Sequence, residues 1–184
     1  MIEKEFIKHL IKRLARVDEN EGWKSDLKPA QRTALEYLGR ANRFSRKPSH
    51  IADFLGSTRG TVSQTLKALA EKEFIAEEHC PELDRRSKSF VLTAKGIERL
   101  AETDTLTEAL DGIPREKLLE IALVLRPVLN RVLLAKQQRD FGLCRRCKHF
   151  EKQGEGGACQ LLGANLTTEE TTQICYHSEP RSID

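Results

Sequence analysis

Apolar residues recur at spacings of one, three and four over most of the chain, the period of amphipathic helices. Phe6, Ile7, Leu10, Ile11, Leu14 and Val17 form one broad stripe near the N-terminus, and a stripe this wide needs a partner to cover it. Asn20-Glu21-Gly22 ends that helix, and Lys28-Pro29 starts another, because proline suits the first helical turn. Ala34, Leu35, Leu38 and Ala41 line the second helix. A basic loop from Arg43 to Pro48 leads to a short helix capped by Ser49, with Ile51, Phe54 and Leu55 inward and Gly56 stopping it. Ser57 or Thr58 then caps a helix running to about Lys72, buried along Val62, Leu66, Leu69 and Ala70. Two short helices about a tight glycine turn make a helix-turn-helix.

The period then changes. Phe74–His79 and Lys88–Leu92 are strand-like runs separated by a polar turn with Pro81, Asp84, Arg85 and Arg86, which predicts a hairpin, and Thr93 is placed to cap a further helix. A hairpin directly after the second helix of a helix-turn-helix is a wing. From Arg115 to about Arg139, Leu118, Ala122, Leu125, Leu129 and Val132 alternate at four and three, widened by Ile121, Val124, Val128, Leu133 and Leu134. That seam suits an intersubunit helix bundle as well as an intrachain core, and Pro127 inside it predicts a kink or a local break. The expected fold is therefore mainly α with a small β-hairpin wing. Four segments follow: an N-terminal dimerisation helix (1–26), a winged helix-turn-helix (27–100), C-terminal dimerisation helices (101–140) and a cysteine-rich tail (141–184).

Composition changes this picture little and charge sharpens it. The 184 residues are 39% hydrophobic and 32% charged, enough for one real core. Acids and bases interrupt the N-terminal helix, unlike a signal peptide, and no apolar run reaches the roughly 18 residues of a bilayer span, so no membrane partner and a cytoplasmic location are expected. Net charge is only +3, yet Lys28 to Lys95 holds 13 basic against 8 acidic residues, which places any polyanion at the middle of the chain. At 100° per residue from Val62, Gly60, Gln64 and Lys67 point away from the core, with Thr61 to one side. Gln64 can pair with adenine, and Thr61 and Lys67 suit base edges or phosphates. Ser57, Thr58, Arg59 and Ser63, near the first turn, are placed for the DNA backbone, where free amides also favour phosphate. In the wing, Arg85 and Lys88 are candidate phosphate contacts.

The wing run DRRSKSFVLTAKG resembles the signature of the MarR family, with Asp84, Arg86, Phe90, Leu92, Thr93 and Gly96 in the matching places. LKPAQRTALEYL resembles that family's second helix and IADFLGSTRGTVSQTLKALAEKEFI its helix-turn-helix, so the similarity spans roughly residues 1 to 139. The resemblance implies a homodimeric transcriptional regulator that binds double-stranded DNA at a pseudo-palindrome. It puts the minor-groove-probing arginine at Arg86, with Asp84 bracing it, and leaves room for a small-molecule effector.

Family members of the usual kind stop near the end of the long helix. Here the chain continues with Cys144, Cys147, Cys159 and Cys175 at the spacing Cys-x2-Cys-x11-Cys-x15-Cys. A CxxC turn converges two thiolates on one ion, and two more complete four ligands. Zinc and a [4Fe–4S] cluster both accept such a set. The third and fourth cysteines stand alone, without the paired knuckles of a zinc ribbon, which favours the bulkier cluster and leaves zinc as the alternative. Phe141, Phe150, Leu161, Leu162 and Tyr176 could form its dry shell, and the run also looks like the CxxC…CQL…C pattern of high-potential iron–sulfur proteins. His149 and His177 are expected beside the site or at the surface, and Cys80 is a second candidate redox sensor. The tail follows the dimerisation helix, so a cluster could shift the angle between two DNA-reading heads. Two rivals stand beside this reading: a structural-zinc regulator answering a small molecule, and a redox or electron-transfer protein using the winged domain for protein contacts. No phosphate-binding glycine loop, nucleophile elbow or HExxH motif is present, and no enzyme is expected.

Overall fold

The computed structural model describes residues 2–21, 26–78 and 88–181. The first part of the chain is helical: α1 (Ile2–Glu21), α2 (Pro29–Arg40), a 3-10 turn (Arg43–Ser45), α3 (Pro48–Leu55) and α4 (Arg59–Glu71). A hairpin of β1 (Ile75–Glu78) and β2 (Ser89–Leu92) follows, then α5 (Ala94–Ala101), α6 (Thr105–Asp111) and the long α7 (Arg115–Ala135). The remainder is a small module: β3 (Gly142–Leu143), a 3-10 turn (Cys144–Arg146), β4 (Phe150–Gln153), β5 (Gly156–Cys159), β6 (Ala164–Leu166), α8 (Thr168–Thr171) and β7 (Ile174–Cys175). This is the expected mainly helical fold with a hairpin wing. No helix among the described residues is long and apolar enough to cross a membrane.

Local chemistry accounts for most boundaries. Pro29 opens α2, where its missing N–H costs nothing. Gly56 ends α3 at φ 58, a left-handed conformation that glycine adopts without a Cβ penalty. Thr58, not Ser57, caps α4 by accepting from the Thr61 N–H, and Thr93 caps α5 by accepting from Gly96. Three details differ from the sequence pattern, the first being that Phe54, expected to face inward, is 37% exposed. α3 begins at Pro48 with Lys47 as its cap residue, so Ser49 lies inside the first turn and caps nothing. On α4 the buried edge is Val62, Thr65, Leu66 and Leu69, with Ala70 exposed. Thr65 tolerates that position because its hydroxyl donates back to the Thr61 carbonyl at 3.0 Å.

The main core joins α2, α3, α4 and the wing: Ala34, Leu35, Tyr37, Leu38, Ile51, Val62, Leu66, Leu69, Phe74 and Ile75 are all buried together. Register Ile75↔Leu92 to Glu78↔Ser89 pins the hairpin to it. Arg32 ties the flanking helices to this head. Its guanidinium reaches the Asp18 carbonyl and carboxylate of α1, Glu36 of its own helix, and Asp104, the α6 cap, at 2.8–3.2 Å.

The apolar stripe of α1 and much of α7 find no cover among the described residues. Phe6, Ile7, Leu14 and Val17 are each more than half exposed, as are Leu119, Leu123, Val124 and Leu134. α7 runs unbroken through Pro127, so of the expected kink or local break the break does not occur.

Gly96 sets how closely α5 approaches the base of the wing, since a Cβ there would stand 2.1 Å from the Phe74 carbonyl oxygen. Gly96→Ala is expected to destabilise the protein by about 1–3 kcal/mol, measured by urea unfolding at fixed protein concentration. An unchanged midpoint would mean that the packing opens freely.

Candidate nucleic-acid interface and cysteine module

Burial of Val62, Leu66 and Leu69 fixes the rotation of α4, and with it the face turned outward. Ser57, Thr58, Arg59, Thr61, Ser63, Gln64 and Lys67 are all exposed. Thr58 is already engaged as the helix cap, and its hydroxyl also meets the Thr61 hydroxyl at 2.9 Å. Lys67 makes only a loose 3.8 Å ion pair with Glu71. In the wing, Lys88 bridges to Glu77 across the hairpin at 2.8 Å, an exposed pair of small energetic worth. Arg85 and Arg86, with Asp84, Pro81, Cys80 and His79, lie outside the described residues.

The cysteine segment folds back onto the head. β3 and β7 pair antiparallel with Gly142 opposite Cys175, which brings Cys175 beside the Cys144 turn. Cys147 N–H donates to the Cys144 carbonyl at 2.9 Å and closes the CxxC turn. Cys159 ends β5 opposite Phe150. Cys144, Cys175 and Cys159 share one apolar cluster with Phe44, Leu166, Phe150 and Leu162, while Cys147 is buried nearby in sequence. None of these four thiols is in a disulfide. Among the described residues no group of three or more His, Cys, Asp or Glu side chains is arranged to hold a metal ion.

Hydrogen-bond donors nevertheless converge on the sulfurs. The Asn42 amide donates to Cys144 Sγ at 3.0 Å and the Glu179 N–H to Cys147 Sγ at 3.4 Å. The Cys175 thiol is pushed down to about 6, first by the Cys144 thiol donating to it, then by Asn42, the His177 backbone and Ser45, against the opposing effect of burial. Cys144 moves up correspondingly, through that same bond and its own burial. The arrangement favours negative charge on Cys175, the form that ligates metals and acts as a nucleophile, and disfavours it on Cys144.

The contacts to the head are extensive. Ala41 and Ile174 form a parallel bridge, the Asn42 N–H donates to the Ile174 carbonyl at 3.0 Å, and Ile174 is buried in the main core. Arg43 pairs with Glu170, whose carboxylate also accepts from the Thr167 N–H at 2.9 Å in a capping box. Tyr176 stacks on His50 of α3, with centroids 3.7 Å apart. Burial, then His177 and Lys47, pushes His50 down to about 4, so its imidazole is neutral near pH 7.

Several predicted shell residues sit elsewhere. Phe150 and Leu162 do face the thiols, but Leu161 is 47% exposed, and Phe141 packs edge-on against Phe54 and Tyr37 in the main core. His149 pairs with Glu179 at 3.1 Å, and His177 stands edge-on to His50 and Tyr176. Nothing in the sequence marks Asn42 and Ser45 as neighbours of the thiols, or Arg43 as the partner of Glu170, since about a hundred positions or more separate the members of each pair. The burial of Asn42, which would have pointed to such a partner, is set only by the tertiary structure. A separate cleft of about 650 Å³ lies between α1, α2, α5 and α6, lined by Arg32, Glu36, Arg40, Arg99, Asp104 and Leu110 among others.

Residues 25–87 match the MarR family. A DNA complex of MepR from S. aureus aligns at TM-score 0.52 and 19% identity over 71% of this chain and 97% of that one. A MarR transcriptional regulator from Methanosarcina mazei Go1 aligns at 0.56 and 19%, over 71% and 99%. Staphylococcus aureus MarR in complex with salicylate and kanamycin aligns at 0.55 and 22%, over 72% and 93%. No curated protein matches. The chain therefore has the winged-helix fold of the MarR regulators, with its segment 25–87 carrying the MarR-family pattern.

Proposed function

We propose that this protein is a sequence-specific transcriptional regulator that binds double-stranded DNA as a homodimer. The observation that carries this reading is the outward face of α4, where Arg59, Thr61, Ser63, Gln64 and Lys67 are exposed together while the opposite face is locked into the core. A helix so held can enter a major groove, with its side chains meeting base edges and its N-terminal turn meeting phosphate. The uncovered stripes of α1 and α7 support self-association, because joining them across two chains removes both from water.

The same reading assigns Cys144, Cys147, Cys159 and Cys175 to a metal centre, a [4Fe–4S] cluster first and zinc as the alternative. Its support is the donor set: unpaired thiols, three of them buried, with N–H donors aimed at two of the sulfurs. Binding would draw the thiolates together and couple the state of the centre to DNA affinity. The cleft beside Arg32 favours a second input, a small molecule of modest size with acceptor groups for Arg99 or Arg40.

Selection from random duplexes followed by footprinting should yield a pseudo-palindrome with half-sites about 10 base pairs apart. Against it, Gln64→Ala should cost about 1–3 kcal/mol and relax one position, whereas Arg59→Ala should weaken all sequences alike and reduce the salt slope by about one. Affinity indifferent to salt would point to a protein partner for the winged domain. Sedimentation should give a dimer, and Leu129→Asp should shift it to monomer. A wild-type monomer at micromolar concentration would remove the dimer from the reading. Anaerobic purification should give about four irons and four sulfides per chain with broad visible absorption, or about one zinc for the alternative, and Cys144→Ser should lower either. Negligible metal in both preparations would end the metal assignment.

A further inference from the structure

Tyr176 follows Cys175 directly and touches three other parts of the molecule. Its phenol donates to Asp53 Oδ2 on α3 at 3.0 Å, and its ring lies nearly parallel to His50 of the same helix, 12° apart. Arg139, in the segment leaving α7, lies over the ring at 4.7 Å and donates to the Tyr176 carbonyl at 3.4 Å. The Tyr176 N–H donates to Ser45 Oγ at 2.8 Å, Ser45 donates to Asn42 Oδ1 at 2.6 Å, and the Asn42 amide reaches Cys144. Two short routes thus join the sulfurs to the first helix of the helix-turn-helix: Cys144 through Asn42 and Ser45 to the turn before α3, and Cys175 through Tyr176 to Asp53. The turn after α3 lies close to the same outgoing segment, where a Cβ on Gly56 would stand 2.9 Å from Gln138 Nε2. α3 in turn shares its buried Ile51 and Ala52 with the α4 residues Val62, Leu66 and Leu69.

We propose that the state of the cysteine centre is transmitted to α3 and α4 within one chain, with Tyr176 as the positioning residue. Fixing Cys175 in a metal centre fixes Tyr176, and Tyr176 then holds α3 against α4 through Asp53 and His50. This rests on the metal reading above, but it replaces a change in the angle between two heads with a direct contact inside each head. A centre that holds α3 differently when loaded and empty must bind DNA differently in the two states, by the differential free energy of those contacts.

The test uses the full chain, reduced and stripped with chelator, then loaded with Zn²⁺ or, anaerobically, with Fe²⁺ and sulfide. Metal per chain, hydrogen exchange across 48–71 and affinity for the selected operator are read together. In the wild type, loading should slow exchange in α3 by about tenfold and change operator affinity by at least about fivefold. Tyr176→Phe keeps the ring and loses only the bond to Asp53; it should bind the same amount of metal and lose most of the α3 response. Asp53→Ala should do the same, and the double variant should lose no more than either alone, because both remove the same hydrogen bond; the readout that a merely structural bond would not move is the difference in α3 exchange between the loaded and the empty chain. Metal uptake with unchanged α3 exchange in the wild type, or a full response in Tyr176→Phe, overturns the transmission while leaving the metal reading intact. If no metal is taken up, the metal count shows that the underlying reading has fallen, and the proposal falls with it.

Discussion

A carboxamide taken wholly out of water must find partners for its donors and acceptor, and a group left unmet costs about 1–3 kcal/mol. Asn42 meets that demand only because two distant parts of the chain are brought together. Its backbone N–H bonds the Ile174 carbonyl, its amide bonds Cys144 Sγ, and its carbonyl oxygen accepts from Ser45. Without the module, the Asn42 side chain would keep its bond from Ser45 alone, and its amide would lose Cys144. With it, the module from Gly142 to Cys175 becomes part of the wall of the winged-helix head.

That joint explains the position of the other contacts. Ile174 enters the main core because β7 must lie along Ala41 for Asn42 to be satisfied. Arg43 and Glu170, one on each side of the joint, then stand close enough to pair. Tyr176 is carried onto α3, where its ring covers the neutral His50 and its hydroxyl reaches Asp53. The sulfur environment and α3 are therefore linked by a short series of contacts through Asn42, Ser45 and Tyr176.

Much of the head was legible in the order of residues. Helix periods, Pro29, Gly56 and Thr93 mark boundaries by local rules that hold in any fold. The outward face of α4 followed from Val62 and Leu66 alone, since a helix has a fixed angular step. Elsewhere one local rule beat another or packing decided: Pro48, suited to a first turn, took the helix start from Ser49, and Thr65 took the buried place expected for Ala70. Pro127 left α7 unbroken, the loss of one backbone hydrogen bond being borne within a helix of 21 residues.

The sequence by itself determined that a winged helix is present, which face of its second helix is polar, and that four thiols lie close together in the tail. These depend on periodicity and spacing, which are properties of neighbours along the chain. Only the tertiary structure decided where the thiols sit. Cys144 and Cys175 lie against Asn42 and Ser45 because satisfying a buried amide, covering Ile174 and pairing Arg43 with Glu170 are all achieved by one placement of the module. Contacts of that kind join residues more than a hundred positions apart, and no local pattern announces them.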